Sequence, residues 1–61
     1  MINLMYRVIY NGDLIIETPF YKEASDEYDK CIYNGKSGDI IQLWYYRDPN
    51  RGWELARKDW M

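Results

Sequence analysis

Residues 4–18, LMYRVIYNGDLIIET, constrain the fold of this 61-residue chain more than any other stretch. Asn11-Gly12 lies between two β-prone runs, and both residues tolerate the positive φ that a two-residue type I′ turn demands. The stretch therefore predicts a hairpin with strands over about 4–10 and 13–18. A two-residue turn sets Tyr10 opposite Asp13, Ile9 opposite Leu14, Val8 opposite Ile15 and Arg7 opposite Ile16. Alternation then places Met5, Arg7, Ile9, Leu14 and Ile16 on one face. Tyr6, Val8, Tyr10, Asp13, Ile15 and Glu17 fall on the other. The aliphatic face is the expected core side, although a register slip of one residue would exchange the two.

An isolated hairpin is not stable in water, so the rest of the chain must supply a layer and further strands. Thr18-Pro19 resembles a helix start, with Thr as cap and Pro at the first helical position. A start at Tyr21 after extended Pro19-Phe20 is the alternative. Phe20, Ala24, Tyr28, Cys31 and Ile32 recur at helical spacing and form one apolar stripe. Asn34-Gly35 should end this helix over about 20–34, with Gly35 in a left-handed cap.

Residues 38–48, GDIIQLWYYRD, read as a third strand over about 39–47, with one unusual property. Ile41, Leu43 and Tyr45 fall on one face, yet Ile40, Trp44 and Tyr46 fall on the other, and Gln42 alone is polar within 40–46. After the turn Asp48-Pro49-Asn50-Arg51-Gly52, WELARKDW forms a fourth strand over 53–60. Pairing Arg47 with Trp53 sets Tyr45 opposite Leu55, Trp44 opposite Ala56 and Ile40 opposite Trp60. Trp53 and Leu55 then join the Ile41 face, and Ala56 and Trp60 join the Trp44 face. The fold class is α+β, ββαββ, one domain over residues 1–61: a four-stranded, mostly antiparallel sheet with one helix packed on one face. Met5, Ile9, Leu14, Ile16, Ile41, Leu43 and Leu55 are the expected core beneath the helix. Tyr6, Tyr10, Trp44, Tyr46 and Trp60 are the expected uncovered face, and such a patch marks an interaction surface.

Size sharpens that expectation. Small natural domains add disulfides, a metal or a second subunit. Cys31 is the only cysteine and histidine is absent, so neither an intrachain disulfide nor the usual zinc site can form. A homodimer is the support that remains. No cofactor, metal or membrane interaction is expected. The chain carries no basic-then-apolar leader and reads as a complete, cytoplasmic gene product.

Motifs that suggest chemistry have simpler readings. Gly35-Lys36-Ser37 resembles the tail of a phosphate-binding loop, but Lys30 stands where that pattern needs its first glycine. Asp26, Glu27 and Asp29 read as a solvated helix face, with Lys22–Asp26 and Asp26–Lys30 at ion-pair spacing. Cys31 sits on the apolar stripe and reads as a small buried hydrophobe. No nucleophile–base pair can be assembled, so the chain is read as a non-enzyme. Arg47, Arg51, Arg57 and Lys58 lie near the three tryptophans, an association that single-stranded nucleic-acid platforms use. The net charge of −2 opposes that reading, since such domains are typically basic.

In length and aromatic richness the chain resembles the short, single-domain reading frames that bacteriophages and other mobile elements carry. Many of those bind and inhibit a host protein, anti-CRISPR and other anti-defence proteins among them. This likeness is one of format and assigns no residue. The expected function is a small non-catalytic protein-binding module, a phage-type inhibitor that occludes a host protein's surface and itself dimerises. Trp44, Tyr46, Trp60, Tyr6, Tyr10, Arg47 and Arg51 are the expected partner-binding residues. A nucleic-acid-binding or regulatory module is the alternative.

Overall fold

The computed structural model describes residues 4–61. Its element order is β1 (Met5–Tyr10), β2 (Asp13–Thr18), α1 (Tyr21–Asn34), β3 (Ile40–Tyr46) and β4 (Trp53–Trp60). The four strands form one antiparallel sheet in the order β2-β1-β3-β4. This is the expected ββαββ architecture, with β1 and β3 central and β2 and β4 at the edges. Asn11 (φ 50°) and Gly12 (φ 86°) both take positive φ, as a type I′ turn requires.

The helix begins at Tyr21 with Phe20 as its N-cap, and no side chain caps it. Thr18 is instead buried in β2, where its Oγ1 accepts the Phe20 N–H at 3.1 Å and donates to Glu23 Oε1 at 3.2 Å. Phe20 leaves the apolar stripe and is 63% exposed. Gly35 follows the helix at φ −67°, so the expected left-handed cap does not form. Close approach explains the glycine: a Cβ there would lie 2.9 Å from the Cys31 carbonyl oxygen and 3.3 Å from the Met61 side chain. On the outer helix face Lys22 pairs with Asp26 (3.8 Å), and Lys30 pairs with Glu27 (3.3 Å) where Asp26 was the expected partner.

Two bulges rearrange the expected faces. In β2, Val8 pairs with Ile16 and Ile9 with Leu14, which leaves Ile15 as an extra residue. In β4, Leu43 pairs with Arg57 and Trp44 with Leu55, which leaves Ala56 extra. Each insertion breaks the period of two. Ile16 therefore joins the helix side while Leu14 stays with Ile9 on the other. Trp53 pairs with Tyr46 and Leu55 with Trp44, so both leave the expected core for the open face.

The core assembles Val8, Ala24, Tyr28, Ile41 and Leu43, with Tyr6, Tyr10, Ile16, Cys31 and Ile32 packed around it. Tyr6 and Tyr10 thus stand beneath the helix, against the expectation that they line the open face, and Met5, Ile9 and Leu14 stand opposite. The reason lies in the register. Val8 pairs with Leu43, so the Tyr6–Val8–Tyr10 face must share the layer that Leu43 occupies. Tyrosine suits the margin of that layer, because its ring packs while its hydroxyl reaches a polar group. The Tyr6 ring meets Tyr21 edge-on at 5.4 Å, and the Tyr10 hydroxyl donates to Asp39.

Asp39 ties one end of the sheet together. Its carboxylate accepts from Asn11 Nδ2 at 2.9 Å, from Tyr10 and from the Lys36 N–H at 2.8 Å. Its backbone carbonyl accepts the Met61 N–H at 2.9 Å. Donation from Asn11, then Tyr10, then Lys36 lowers its pKa to about 2. A carboxylate depressed in the folded state stabilises above its unfolded pKa of about 3.9, and that contribution is lost as pH falls through the folded value. The melting-temperature difference between the parent and Asp39→Asn should therefore shrink between about pH 4 and pH 2. A difference that stays constant over that window would remove Asp39 from the acid response.

Candidate protein-binding face

The helix lies on β1, β2 and β3, and among the described residues no element lies over the opposite face of the sheet. Strand pairing arranges that face in rows running across the sheet. Met5, Tyr46 and Trp53 form one end row. Glu17, Arg7, Trp44 and Leu55 form the next, followed by Leu14, Ile9, Gln42 and Lys58. Ile40 and Trp60 close the other end. The face thus combines aromatic and aliphatic side chains with Gln42 and three charged side chains, and Arg7 and Gln42 stand on its central strands.

Its polar groups are largely occupied within the chain. The Arg7 guanidinium lies 4.0 Å from the centroid of the Trp53 ring and is ion-paired with Glu17. A cation over an indole ring is attracted by the ring's quadrupole, so this arginine is held over the tryptophan ring. Trp44 Nε1 donates to Gln42 Oε1 at 3.1 Å. Tyr46 and Trp53 pack at 5.5 Å between centroids in a tilted pair. Arg7, Ile9, Trp44 and Trp53 line a shallow cleft of about 270 Å³. Leu14, Leu55 and Trp60 stand out from the surface, and Trp60 is 77% exposed.

Of the residues expected to meet a partner, Trp44, Tyr46 and Trp60 occupy this face. Tyr6 and Tyr10 do not, as their place beneath the helix dictates. Arg47 follows β3 and is exposed. Arg51 lies in the following turn, within 3.8 Å of Asp48 and 3.6 Å of Glu54. Arg57 turns to the helix side, 4.6 Å from the centroid of the Tyr28 ring and near Asp59 (3.2 Å) and Asp29 (3.9 Å). The arginines near the tryptophans are therefore dispersed and two of them face carboxylates, so they do not form the continuous basic track on which backbone-tracking binders rely.

Sequence reasoning missed Met5, Arg7, Ile9, Leu14, Trp53 and Leu55 as members of the face. Arg7 carried a usable signal: a guanidinium beneath a helix is costly to bury without partners, so its strand face belongs outside. Trp53 and Leu55 carried none, because the bulge at Ala56 has no marker in a sequence without glycine at that point.

Chemistry elsewhere is sparse. Among the described residues no group of three or more His, Cys, Asp or Glu side chains could hold a metal ion, and no helix is long and apolar enough to cross a membrane. Burial, and secondarily Glu27, pushes the Cys31 thiol up from its ordinary pKa, which disfavours the nucleophilic thiolate. The chain matches no protein-family model, no curated protein and no solved structure.

Proposed function

We propose that this chain is a non-catalytic protein-binding module that covers part of a partner's surface with its helix-free sheet face. In that reading it works as a phage-type inhibitor of a host protein, of the anti-defence or anti-CRISPR kind, in the host cytoplasm, and it associates with itself as a homodimer. The observation that supports this most is the concentration of Trp44, Tyr46, Trp53, Leu55 and Trp60 on one uncovered face. Trp and Tyr are the side chains most enriched at binding hot spots. The internal pairing of Arg7 with Glu17 spares a partner the cost of desolvating that arginine as an isolated charge.

The test is capture from host lysate by the parent and by Trp44→Ala. The parent should retain one defined protein, and the variant should bind it at least about thirtyfold more weakly, equivalent to about 2 kcal/mol. Circular dichroism should report the same folded sheet for both. Binding should respond weakly to salt. Capture that is indifferent to Trp44→Ala would reject the face as the site. A nucleic-acid ligand whose affinity falls steeply with salt would reject the protein-binding reading in favour of a nucleic-acid module.

A further inference from the structure

We propose that the free protein forms its dimer in one particular way: two sheets pack open face to open face, end for end, and Trp60 of each copy seats in the other's Arg7–Trp44–Trp53 cleft. This rests on the reading of the face as an interaction surface, and adds what covers it and how.

The edges direct association to the face. Both edge strands carry a bulge, Ile15 in β2 and Ala56 in β4, and β4 also presents Lys58. Bulges and edge lysines are the devices by which sheets discourage the addition of a further strand. Area then selects the occupant. Four strands about 4.8 Å apart and roughly 20–25 Å long give a footprint of about 400–450 Å² per copy. A pair approaches the roughly 1,000 Å² at which specific interfaces begin only when the whole face is engaged. A second four-stranded sheet has the shape that engages all of it, and stacked sheets keep their strands within about 30° of alignment.

The position of Trp60 selects the orientation, and charge permits it. Turning one copy end for end, about a two-fold axis lying across the strands, sets the Arg7 row against the Ile9 row of the other copy. Glu17 then meets Leu14, Arg7 meets Ile9, and Lys58 meets Leu55, so no like charges face one another. The same rotation sets the Trp60 row over the Trp53 row. These rows lie three steps of two residues apart, roughly 20 Å. A two-fold interface repeats each contact, so both Trp60 side chains reach the opposite cleft at once. The dimer would then hide the face that a target needs, and target binding would compete with self-association.

Sedimentation from micromolar to millimolar concentration tests this. The parent should dimerise, and Trp60→Ala and Trp53→Ala should each raise the dissociation constant at least about thirtyfold. Tyr33→Ala, at a helix position 90% exposed, should leave it unchanged. Mixing the two tryptophan variants is the sharper experiment. Trp60→Ala keeps an intact cleft and Trp53→Ala keeps its Trp60, so the mixed pair regains one complete contact and should associate more tightly than either variant alone. A parent that remains monomeric throughout overturns the dimer. A dimer for which mixing restores nothing overturns the arrangement. If Trp53→Ala fails to fold, an unchanged dissociation constant for the exposed Trp60→Ala alone overturns it. Target capture that still depends on Trp44 in a monomeric parent would leave the protein-binding reading standing while this inference fails.

Discussion

Leu43→Ala should unfold the protein or come close to doing so, while Trp44→Ala, one residue along the same strand, should leave it folded. Leu43 is 4% exposed and belongs to the cluster of Val8, Ala24, Tyr28 and Ile41. Removing three carbons from such a site forfeits their transfer free energy and leaves a cavity, about 2–5 kcal/mol in all. Small domains have little stability to lose, and this core holds few fully buried side chains. Trp44 lies on the other side of the pleat and is only half-buried, so its loss removes surface and not support. Urea titrations of the two variants, read by circular dichroism, make the comparison within one strand. A Leu43→Ala protein that melts like the parent would place the helix on the wrong face. A Trp44→Ala protein that unfolds would make the aromatic side the core.

That contrast also marks how far the sequence could be read. The turn at Asn11-Gly12, the four strands, the helix and the two-sided character of β3 follow from local chemistry: positive-φ residues, helical spacing and alternation. The allocation of Ile41 and Leu43 to the helix side and of Trp44 and Tyr46 to the open side is equally local, because β3 has no bulge, and Trp60 follows from its pairing with Ile40 beyond the bulge in β4. What failed depended on relations between strands. The face of β1 is set by its register with β3, Val8 opposite Leu43, and nothing within MYRVIY encodes that pairing. The rule that aliphatic side chains go inside pointed the wrong way, because Tyr6 and Tyr10 can pack at the margin and satisfy their hydroxyls there. Arg7 opposed the rule and was the better guide. The bulges at Ile15 and Ala56 each moved residues across the sheet without a glycine to announce them, and the bulge at Ala56 brought Trp53 beside Arg7 to make the cleft.

Tyr28→Ala is the second change expected to abolish the fold, and Tyr28→Phe separates its two contributions. Tyr28 is 1% exposed and is one of the three largest fully buried side chains. Its hydroxyl donates to Asp59 Oδ2 at 2.6 Å and lies 3.3 Å from the Ile41 carbonyl oxygen. Arg57 covers its ring from β4, so this one residue carries the helix across β3 to the sheet's edge. Truncation to alanine should cost about 3–5 kcal/mol, as for other buried aromatics. Phenylalanine keeps the ring but withdraws the donor from a carboxylate, which should cost about 1.5–3 kcal/mol. The alkaline response supplies an independent readout. Burial first, then the bond to Asp59 and its charge, raise the Tyr28 pKa above its ordinary value. A group whose pKa rises on folding stabilises fully below its unfolded pKa, about 10 for tyrosine, and loses that contribution as pH climbs beyond it. The advantage of the parent over Tyr28→Phe should therefore be constant near neutrality and shrink above about pH 10. Contributions common to both proteins cancel in the difference. Equal stability of parent and Tyr28→Phe near neutral pH would show that the Asp59 bond contributes nothing, and a folded Tyr28→Ala would show that the helix is held by its contacts with β1 and β2 alone.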